Sequence, residues 1–173
     1  ILIISALMLA ACSNDMERVA FFAPKEIPSQ QVDSATVVRS SEGNVEMIMT
    51  APHIDVYKMP EPKTVCPKGV EVRFFSSPGK VRTLVRADYG ISYDQREVVE
   101  LKKNVVIIDF TTGDTSYLED LHWNGIEHRV YSHHPVRSVN GQRVTIGDSF
   151  ESDENFEQPL ILHQRGTLLI EED

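Results

Sequence analysis

Apolar and polar side chains alternate through residues 81–95, and this alternation constrains the fold more than any other feature of the chain. In VRTLVRADYGISYDQ the odd positions are mostly apolar, whereas the even positions include arginine, aspartate and serine. Residues 98–109, VVELKKNVVIID, repeat the pattern. Successive side chains of a strand point to opposite faces of a sheet, so both segments predict strands with one apolar face. Beyond residue 11 no comparable stretch has helical spacing, which predicts an all-β chain.

A weak internal repeat accompanies these strands. Four similar units each begin at a glycine turn and continue as a strand, a short kink with an acidic residue or glycine, and a second strand; the glycines are Gly43, Gly79, Gly113 and Gly141. Regularly spaced glycine turns also occur in antiparallel proteins without repeats, so that alternative stays open. Because such units cannot bury their apolar faces singly, we expect them to stack as two facing sheets about 10 Å apart. An unclosed stack leaves an apolar trough between the sheets.

The first eleven residues carry no charge and end at Cys12. As a helix they would span about 16 Å, too short for about 30 Å of bilayer hydrocarbon but suited to the apolar region of a secretory signal. Leu9-Ala10-Ala11-Cys12 resembles the lipobox of bacterial lipoprotein precursors. That resemblance implies cleavage before Cys12 and lipidation of its thiol. The alternative is an apolar first strand with a buried cysteine.

The remaining chain is interpreted as a lipidated tether over residues 12–31 and a single β domain over residues 32–173. Phe21-Phe22 within the tether could instead join a sheet or contact a membrane partner. Residues 59–69 contain three prolines, which lack the N–H that a sheet ladder needs, so they are expected to form a connection. Residues 160–170 are expected to form the last strand. Cys66 has no disulfide partner if Cys12 is lipidated, and it is treated as a small apolar residue or a spare thiol.

The net charge of -9, from 26 acidic and 17 basic residues, argues against nucleic acid as a partner. No hydrolase signature or phosphate-binding glycine loop occurs, and we expect neither an enzyme nor a cofactor. Four histidines lie within residues 122–134: His122, His128, His133 and His134. Their spacing suits surface turns better than a zinc site. The acidic run GDSFESDENFE lacks calcium-loop spacing and is expected to be a solvated loop.

The order of the strand motifs resembles the LptC-type periplasmic proteins of lipopolysaccharide export, in the lipoprotein form seen in Bacteroidetes. The resemblance covers residues 69 to about 156. The first two elements are a strand with Val72 and Phe74, and the motif L-x-x-A-D-Y-G with Leu84, Ala87 and Tyr89, followed by Tyr93. The next two are V-x-L-x-x-N-V-V, from Val99 through Asn104, and L-x-x-L-x-W, which ends at Trp123. The last is VTIGDSFESD with Gly147 and Phe150. Many members of that family keep a transmembrane helix where this chain has a lipobox.

The resemblance implies an open, twisted β-jellyroll of the OstA type that holds lipid A acyl chains in its interior. Lipopolysaccharide would pass from an inner-membrane ABC transporter, facing the N-terminal edge, to a periplasmic bridge protein added as a strand at the C-terminal edge. The protein would work in the periplasm, lipid-anchored to the inner membrane. The expected groove residues are Val72, Phe74, Val85, Tyr89, Ile91, Val99, Leu101, Val105, Ile107, Leu121, Trp123, Ile146 and Phe150. On physical grounds, lipid phosphates at the rim would meet Arg82, Arg86 or Arg143; the alternative is that these arginines are only solvated.

A second hypothesis is a cell-surface lipoprotein with an adhesive or carbohydrate-binding β-sandwich. That class requires a closed, packed interior and exposed aromatic side chains. The chain has a single tryptophan, which counts against it. An open trough would favour the carrier, and a filled core with an aromatic platform the alternative.

Overall fold

The computed structural model describes residues 27–58, 61–77 and 79–169, and most of them lie in strands. The strands form one 14-stranded antiparallel sheet. They are β1 Gln30–Ser41, β2 Asn44–Tyr57, β3 Lys63–Cys66, β4 Val70–Ser77, β5 Lys80–Ala87, β6 Tyr89–Tyr93, β7 Val98–Asp109, β8 Thr115–Asn124, β9 Arg129–Ser132, β10 Val136–Asn140, β11 Arg143–Gly147, β12 Ser149–Asp153, β13 Leu160–Leu162 and β14 Gly166–Leu169. In these ranges the helical structure is one 3₁₀ turn at Asp94–Arg96. None of the described residues belongs to a helix that is long and apolar enough to cross a membrane.

The sheet is bent along one line, so that its two halves face each other. Strands β1, β2, β7 and β8 run through both halves, whereas β3–β4, β5–β6, β9–β10, β11–β12 and β13–β14 are single chain passes interrupted by one to three residues. The half called sheet I has the order β1-β2-β4-β5-β7-β8-β10-β11-β14. Sheet II has the order β1-β2-β3-β6-β7-β8-β9-β12-β13. Every chain pass therefore lies beside the passes that precede and follow it.

This arrangement confirms the predicted all-β, jellyroll-like fold of antiparallel strand pairs. Within the described ranges, β1 pairs only with β2, while β13 and β14 pair only with β12 and β11. The sheet thus has two free edges and does not close on itself. The four units of the predicted repeat correspond to β2, β5–β6, β8 and β11–β12 with the turns before them.

The line along which the sheet bends is here called the crease. It is formed by residues that interrupt the regular geometry of a strand. Pro52 interrupts β2, and the backbone of Ser34 opposite it has a φ of 56°. In β7 the pair Lys103 and Asn104 forms a bulge, with φ values of 66° and 50°. Bulges and left-handed residues bend a strand and increase its twist, which lets each pass turn from one sheet into the other.

Acidic side chains join neighbouring chain passes near the crease, which explains the acidic residue in the sequence repeat. The pairs are Asp33 Oδ1–His53 Nδ1 at 2.6 Å, Asp88 Oδ2–Asn104 Nδ2 at 2.6 Å, Asp120 Oδ2–His134 Nδ1 at 3.0 Å and Asp148 Oδ1–Arg165 Nε at 2.6 Å. The Asp33 hydrogen bond raises the pKa of His53, and the Asp120 hydrogen bond raises the pKa of His134. Burial disfavours the ionised Asp120, but hydrogen bonds from Ser132, His134 and His122 outweigh it and lower its pKa.

Three sequence-based boundaries differ from the structure. The predicted connection at residues 59–69 contains β3, which pairs with both β2 and β6. The prolines Pro62 and Pro67 flank this four-residue strand, so its ladder keeps its N–H groups. The predicted last strand is split into β13 and β14 by a bend at residues 163–165. The acidic run expected to be a solvated loop contains β12, with Phe150 buried at 1% exposure.

The N-terminal assignments extend only partly into the described ranges. Strand β1 begins at Gln30, two residues before the predicted start of the β domain at residue 32. The predicted signal peptide, Cys12 and Phe21-Phe22 all lie outside the described residues. The Cys66 thiol is free and buried, and burial raises its pKa.

Candidate functional site

The inner face of sheet I is apolar toward one edge and carries hydroxyl groups toward the other. Cross-strand pairing places Val72, Val85 and Ile107 in one row, and the row continues through Ser116 and Ser138. Residues opposite each other in a sheet share a face, so these side chains point into the same interior. The interior is therefore apolar beside β4, β5 and β7 and carries hydroxyl groups beside β8 and β10.

Most predicted groove residues do face this interior. Ten of them belong to the core that the two sheets share or pack against it: Val72, Phe74, Val85, Val99, Leu101, Val105, Ile107, Leu121, Trp123 and Phe150. Val105 is fully buried and Leu121 is 2% exposed. The interior beside the crease is consequently filled by side chains, and space for a ligand lies farther from it.

Tyr89 and Ile91 were expected in the groove, and the structure instead places them on the outer face of sheet II. Gly90, between them, faces the core: a Cβ atom there would lie 3.1 Å from Val70 Cγ1 and 3.3 Å from Leu101 Cδ2. Alternation then directs Tyr89 and Ile91 outward. The prediction was wrong because it continued the alternation through the kink at Asp88, where the inward positions change from odd to even.

Ile146 was also expected in the groove and lies on the outer face of sheet I. It pairs with Arg137, which in turn pairs with Tyr117, and all three side chains are exposed. Its neighbour Thr145 pairs with Ser138 of the inner row. The side chain of Ile146 is consequently unable to line the interior.

A cavity of about 310 Å³ lies between the sheets at the end remote from the crease. Sheet I contributes Thr83, Ile107 and Ser116 to its lining, and Phe150 and Ile161 contribute from sheet II. Thr83 is 1% exposed, and its Oγ1 has no hydrogen-bond partner among the described residues. A buried hydroxyl without a hydrogen-bond partner destabilises the folded chain.

Residues 154–159, here called the closing loop, connect β12 to β13 in sheet II. Side chains of this loop contact the opposite sheet, sheet I. Phe156 is 5% exposed, and its ring centroid lies 5.2 Å from that of Phe74 in β4. The backbone φ of Phe156 is 59°, a region that bulky residues rarely adopt. Sequence reasoning missed this residue because it stands in an acidic run without strand alternation.

Arginine side chains fix the closing loop to sheet I. The Arg82 guanidinium donates to Glu157 Oε1 at 2.7 Å and also to the carbonyl oxygen of Asn155. Arg39 Nη2 donates to Asn155 Oδ1 at 3.3 Å. A second cavity, of about 390 Å³, lies along this contact and is lined by Arg39, Arg82, Phe74 and Glu157 among others.

The three arginines suggested for phosphate binding therefore occupy different surroundings. Arg82 is 17% exposed and held against the closing loop, whereas Arg86 is exposed on sheet I. Arg143 is exposed and borders the first cavity. Only Arg82 combines a partly buried guanidinium with neighbouring apolar side chains.

The outer face of sheet II carries three half-buried tyrosines, Tyr57, Tyr89 and Tyr93. Lys63 Nζ lies 5.2 Å from the centroid of the Tyr57 ring, and the Arg96 guanidinium carbon lies 4.0 Å from that of Tyr93. Together they form an aromatic face with cations beside the rings. Burial raises the pKa of Tyr89, so this hydroxyl stays protonated at neutral pH.

Of the clustered histidines, His122 and His134 share the carboxylate of Asp120, and the other two contact different groups. His122 Nε2 lies 3.1 Å from Asp120 Oδ2, and His128 Nδ1 lies 3.3 Å from Glu154 Oε2. The ring centroid of His133 lies 4.9 Å from that of Tyr131. Across residues 27–58, 61–77 and 79–169, no group of three or more potential ligands is placed to hold a metal ion.

No protein-family model and no curated protein matches the chain. The residues and their geometry are therefore the basis for a functional assignment.

Proposed function

We propose that the protein carries lipopolysaccharide across the periplasm, with lipid A acyl chains held between sheets I and II. The observation that carries the proposal is the cavity at the open end of the bent sheet, whose lining includes the apolar side chains of Ile107, Phe150 and Phe156 beside polar and charged ones. Acyl chains need such shielding because exposing apolar surface to water costs about 25 cal/mol per Å². The proposal assigns no chemical step to the chain.

The free edges of the sheet support the proposed partners. Along β1 almost every side chain is exposed, and Val37 and Val38 are 47% and 53% exposed although they point to opposite faces. Exposed edge strands can accept a further strand from another protein. The β1 edge would face the inner-membrane ABC transporter, and the β13–β14 edge would receive the periplasmic bridge protein.

Photo-crosslinking in cells tests the carrier proposal. A photoreactive residue at Ile107 faces the cavity, and the same residue at Ile146 lies on the other face of the same sheet. We expect lipopolysaccharide adducts at position 107 and none at position 146. Equal labelling at both, or no labelling at position 107 in folded protein, would refute the proposal.

The proposed anchor has a separate test. We propose that Cys12 is lipidated and holds the protein at the periplasmic face of the inner membrane. Metabolic labelling with a radioactive fatty acid should mark the normal chain and leave the Cys12→Ser variant unlabelled. Equal label in both chains would show that the thiol is not the site of acylation.

A second candidate function is carbohydrate binding at the cell surface, and the outer face with Tyr57, Tyr89 and Tyr93 favours it. Flat aromatic rings beside charged groups suit the apolar faces and hydroxyl groups of sugars. The discriminating probe is core oligosaccharide freed of lipid A. Binding that disappears in Tyr93→Ala would support this function, whereas no binding by either chain would leave only the carrier proposal.

A further inference from the structure

The closing loop presents an apolar side chain and a carboxylate in the same arrangement as the two parts of an anionic amphiphile. Phe156 presents an apolar group to Phe74 in the interior, and the next residue, Glu157, presents a carboxylate to Arg82 at the mouth. The Phe156 side chain is buried, while that of Glu157 is 55% exposed. An apolar group inside and an anion at the rim are also the two parts of an acyl chain with an acidic head group.

We propose that Arg82 is the binding site for the anionic head group of such an amphiphile, and that Phe156 and Glu157 occupy the site until a ligand displaces them. This inference rests on the proposed carrier function and adds the head-group site and its control. The ligand class is an acyl chain that bears a phosphate or carboxylate group.

The hydrogen bonds of Arg82 explain why the ligand needs a negative charge. Within the described residues both hydrogen bonds of its guanidinium go to the closing loop, and its Nε has no partner. Moving the loop away leaves the Arg82 guanidinium, which is 17% exposed while the loop covers it, without its carboxylate. A phosphate restores that pairing in the same geometry, whereas a neutral head group leaves the charge unpaired.

Nearby charges define the site more closely. Arg39 shares its charge with Glu46, whose Oε2 lies 3.5 Å from Arg39 Nε, so it contributes less to an incoming anion. Glu154 Oε2 lies 3.3 Å from His128 Nδ1, and Glu154 also lines the second cavity. Glu157 is the one carboxylate that contacts Arg82 among the described residues, and it is therefore the group that a ligand must replace.

The loop is built to move as a unit. Asp153 Oδ1 accepts hydrogen bonds from the backbone N–H groups of Glu157 at 2.6 Å and Gln158 at 3.3 Å, which hold the loop in a compact turn. Displacement would open the Phe156 position and leave the two cavities adjoining.

The test compares two probes with the same tail, octyl phosphate and octyl glucoside, each below its micelle concentration, by titration calorimetry on the purified chain. We expect octyl phosphate to bind about tenfold more tightly than octyl glucoside. Arg82→Gln should remove this preference and keep the octyl glucoside affinity, whereas Arg86→Gln, an exposed arginine of the same strand, should leave the preference intact. Inorganic phosphate alone should bind far more weakly than octyl phosphate.

Glu157→Gln separates competition from simple folding effects. Removing the carboxylate weakens the contact between the loop and Arg82 and leaves Arg82 itself unchanged, so octyl phosphate should bind more tightly to this variant than to the normal chain. Unchanged or weaker binding to Glu157→Gln, or equal loss of preference in Arg82→Gln and Arg86→Gln, would overturn the inference.

Failure of this inference and failure of the carrier proposal give different results. Lipopolysaccharide adducts at Ile107 without any octyl phosphate preference would retain the carrier and refute the Arg82 site. A normal octyl phosphate preference without lipopolysaccharide adducts would retain the site and assign it to another acidic lipid, such as a phospholipid or fatty acid. An anionic phospholipid added as a competitor of octyl phosphate identifies that source.

Discussion

Replacing Thr83 by valine should stabilise the protein, although most substitutions of core residues do the opposite. Thr83 is 1% exposed, and its Oγ1 has no hydrogen-bond partner among the described residues. A buried polar group without a partner costs about 1–3 kcal/mol, and valine has nearly the same shape without the hydroxyl. We expect Thr83→Val to raise the free energy of unfolding by about 1 kcal/mol, which corresponds to an increase of about 2–4 °C in Tm.

Urea unfolding followed by far-UV circular dichroism measures this change, and Ser132→Ala is the matched control. Ser132 is also fully buried, but its Oγ donates to Asp120 Oδ1 at 2.6 Å and accepts from the His134 N–H at 3.2 Å. Its loss should lower the free energy of unfolding by about 1–2 kcal/mol. If Thr83→Val lowered the free energy of unfolding while keeping the native spectrum, the hydroxyl would have a partner such as cavity water, and the reasoning would be refuted.

Other substitutions and conditions test the remaining features of the fold. Phe150→Ala should lower the free energy of unfolding by about 3–5 kcal/mol, measured by urea unfolding, because the side chain is 1% exposed between the sheets. Ile146→Asn should change the free energy of unfolding by less than about 0.5 kcal/mol. Ile107→Asn should change it by several times more, because of these two side chains only that of Ile107 faces the interior. Equal effects of the two asparagines would contradict the assigned faces. The raised pKa values of His53 and His134 mean that the folded state binds protons more tightly than the unfolded state. Their stabilisation is therefore complete below the ordinary pKa of about 6.5 and is lost as pH rises through the raised values. The urea midpoint should therefore fall as the pH rises above about 6.5, and the fall should shrink when both histidines are replaced by glutamine.

The strands and their pairing in one meander could be predicted because the signal is local. Alternation identified the apolar face of β5 and of the second half of β7, and Val85, Val105 and Ile107 do face the core. The repeat of turn, strand, kink and strand also appears in the structure, for example as β5, Asp88 and β6. Each of these features depends on residues that are close in sequence.

The errors arise where two distant chain passes determine the outcome. The direction of Tyr89 and Ile91 depends on how Asp88 bends beside the bulge of β7, where the Asp88 N–H donates to the carbonyl of Lys103 at 3.0 Å. The alternation of apolar and polar residues along β5–β6 does not indicate that contact. The burial of Phe156 likewise depends on Phe74, which is far away in sequence. A sequence pattern assigns faces within one straight strand and cannot carry the assignment through a bend.

The bend itself determines where a ligand can lie. Near the crease Leu101, Leu121 and Val105 fill the space between the two sheets. The cavity and the closing loop lie farther from the crease, where these side chains no longer fill the space. The hydroxyls of Ser116 and Ser138 bond to each other at 3.1 Å, which satisfies part of their hydrogen-bonding capacity within the lining. Binding strength must then come from apolar contact beside Ile107 and from the charge of Arg82 at the rim, which are the two positions that the proposed experiments probe.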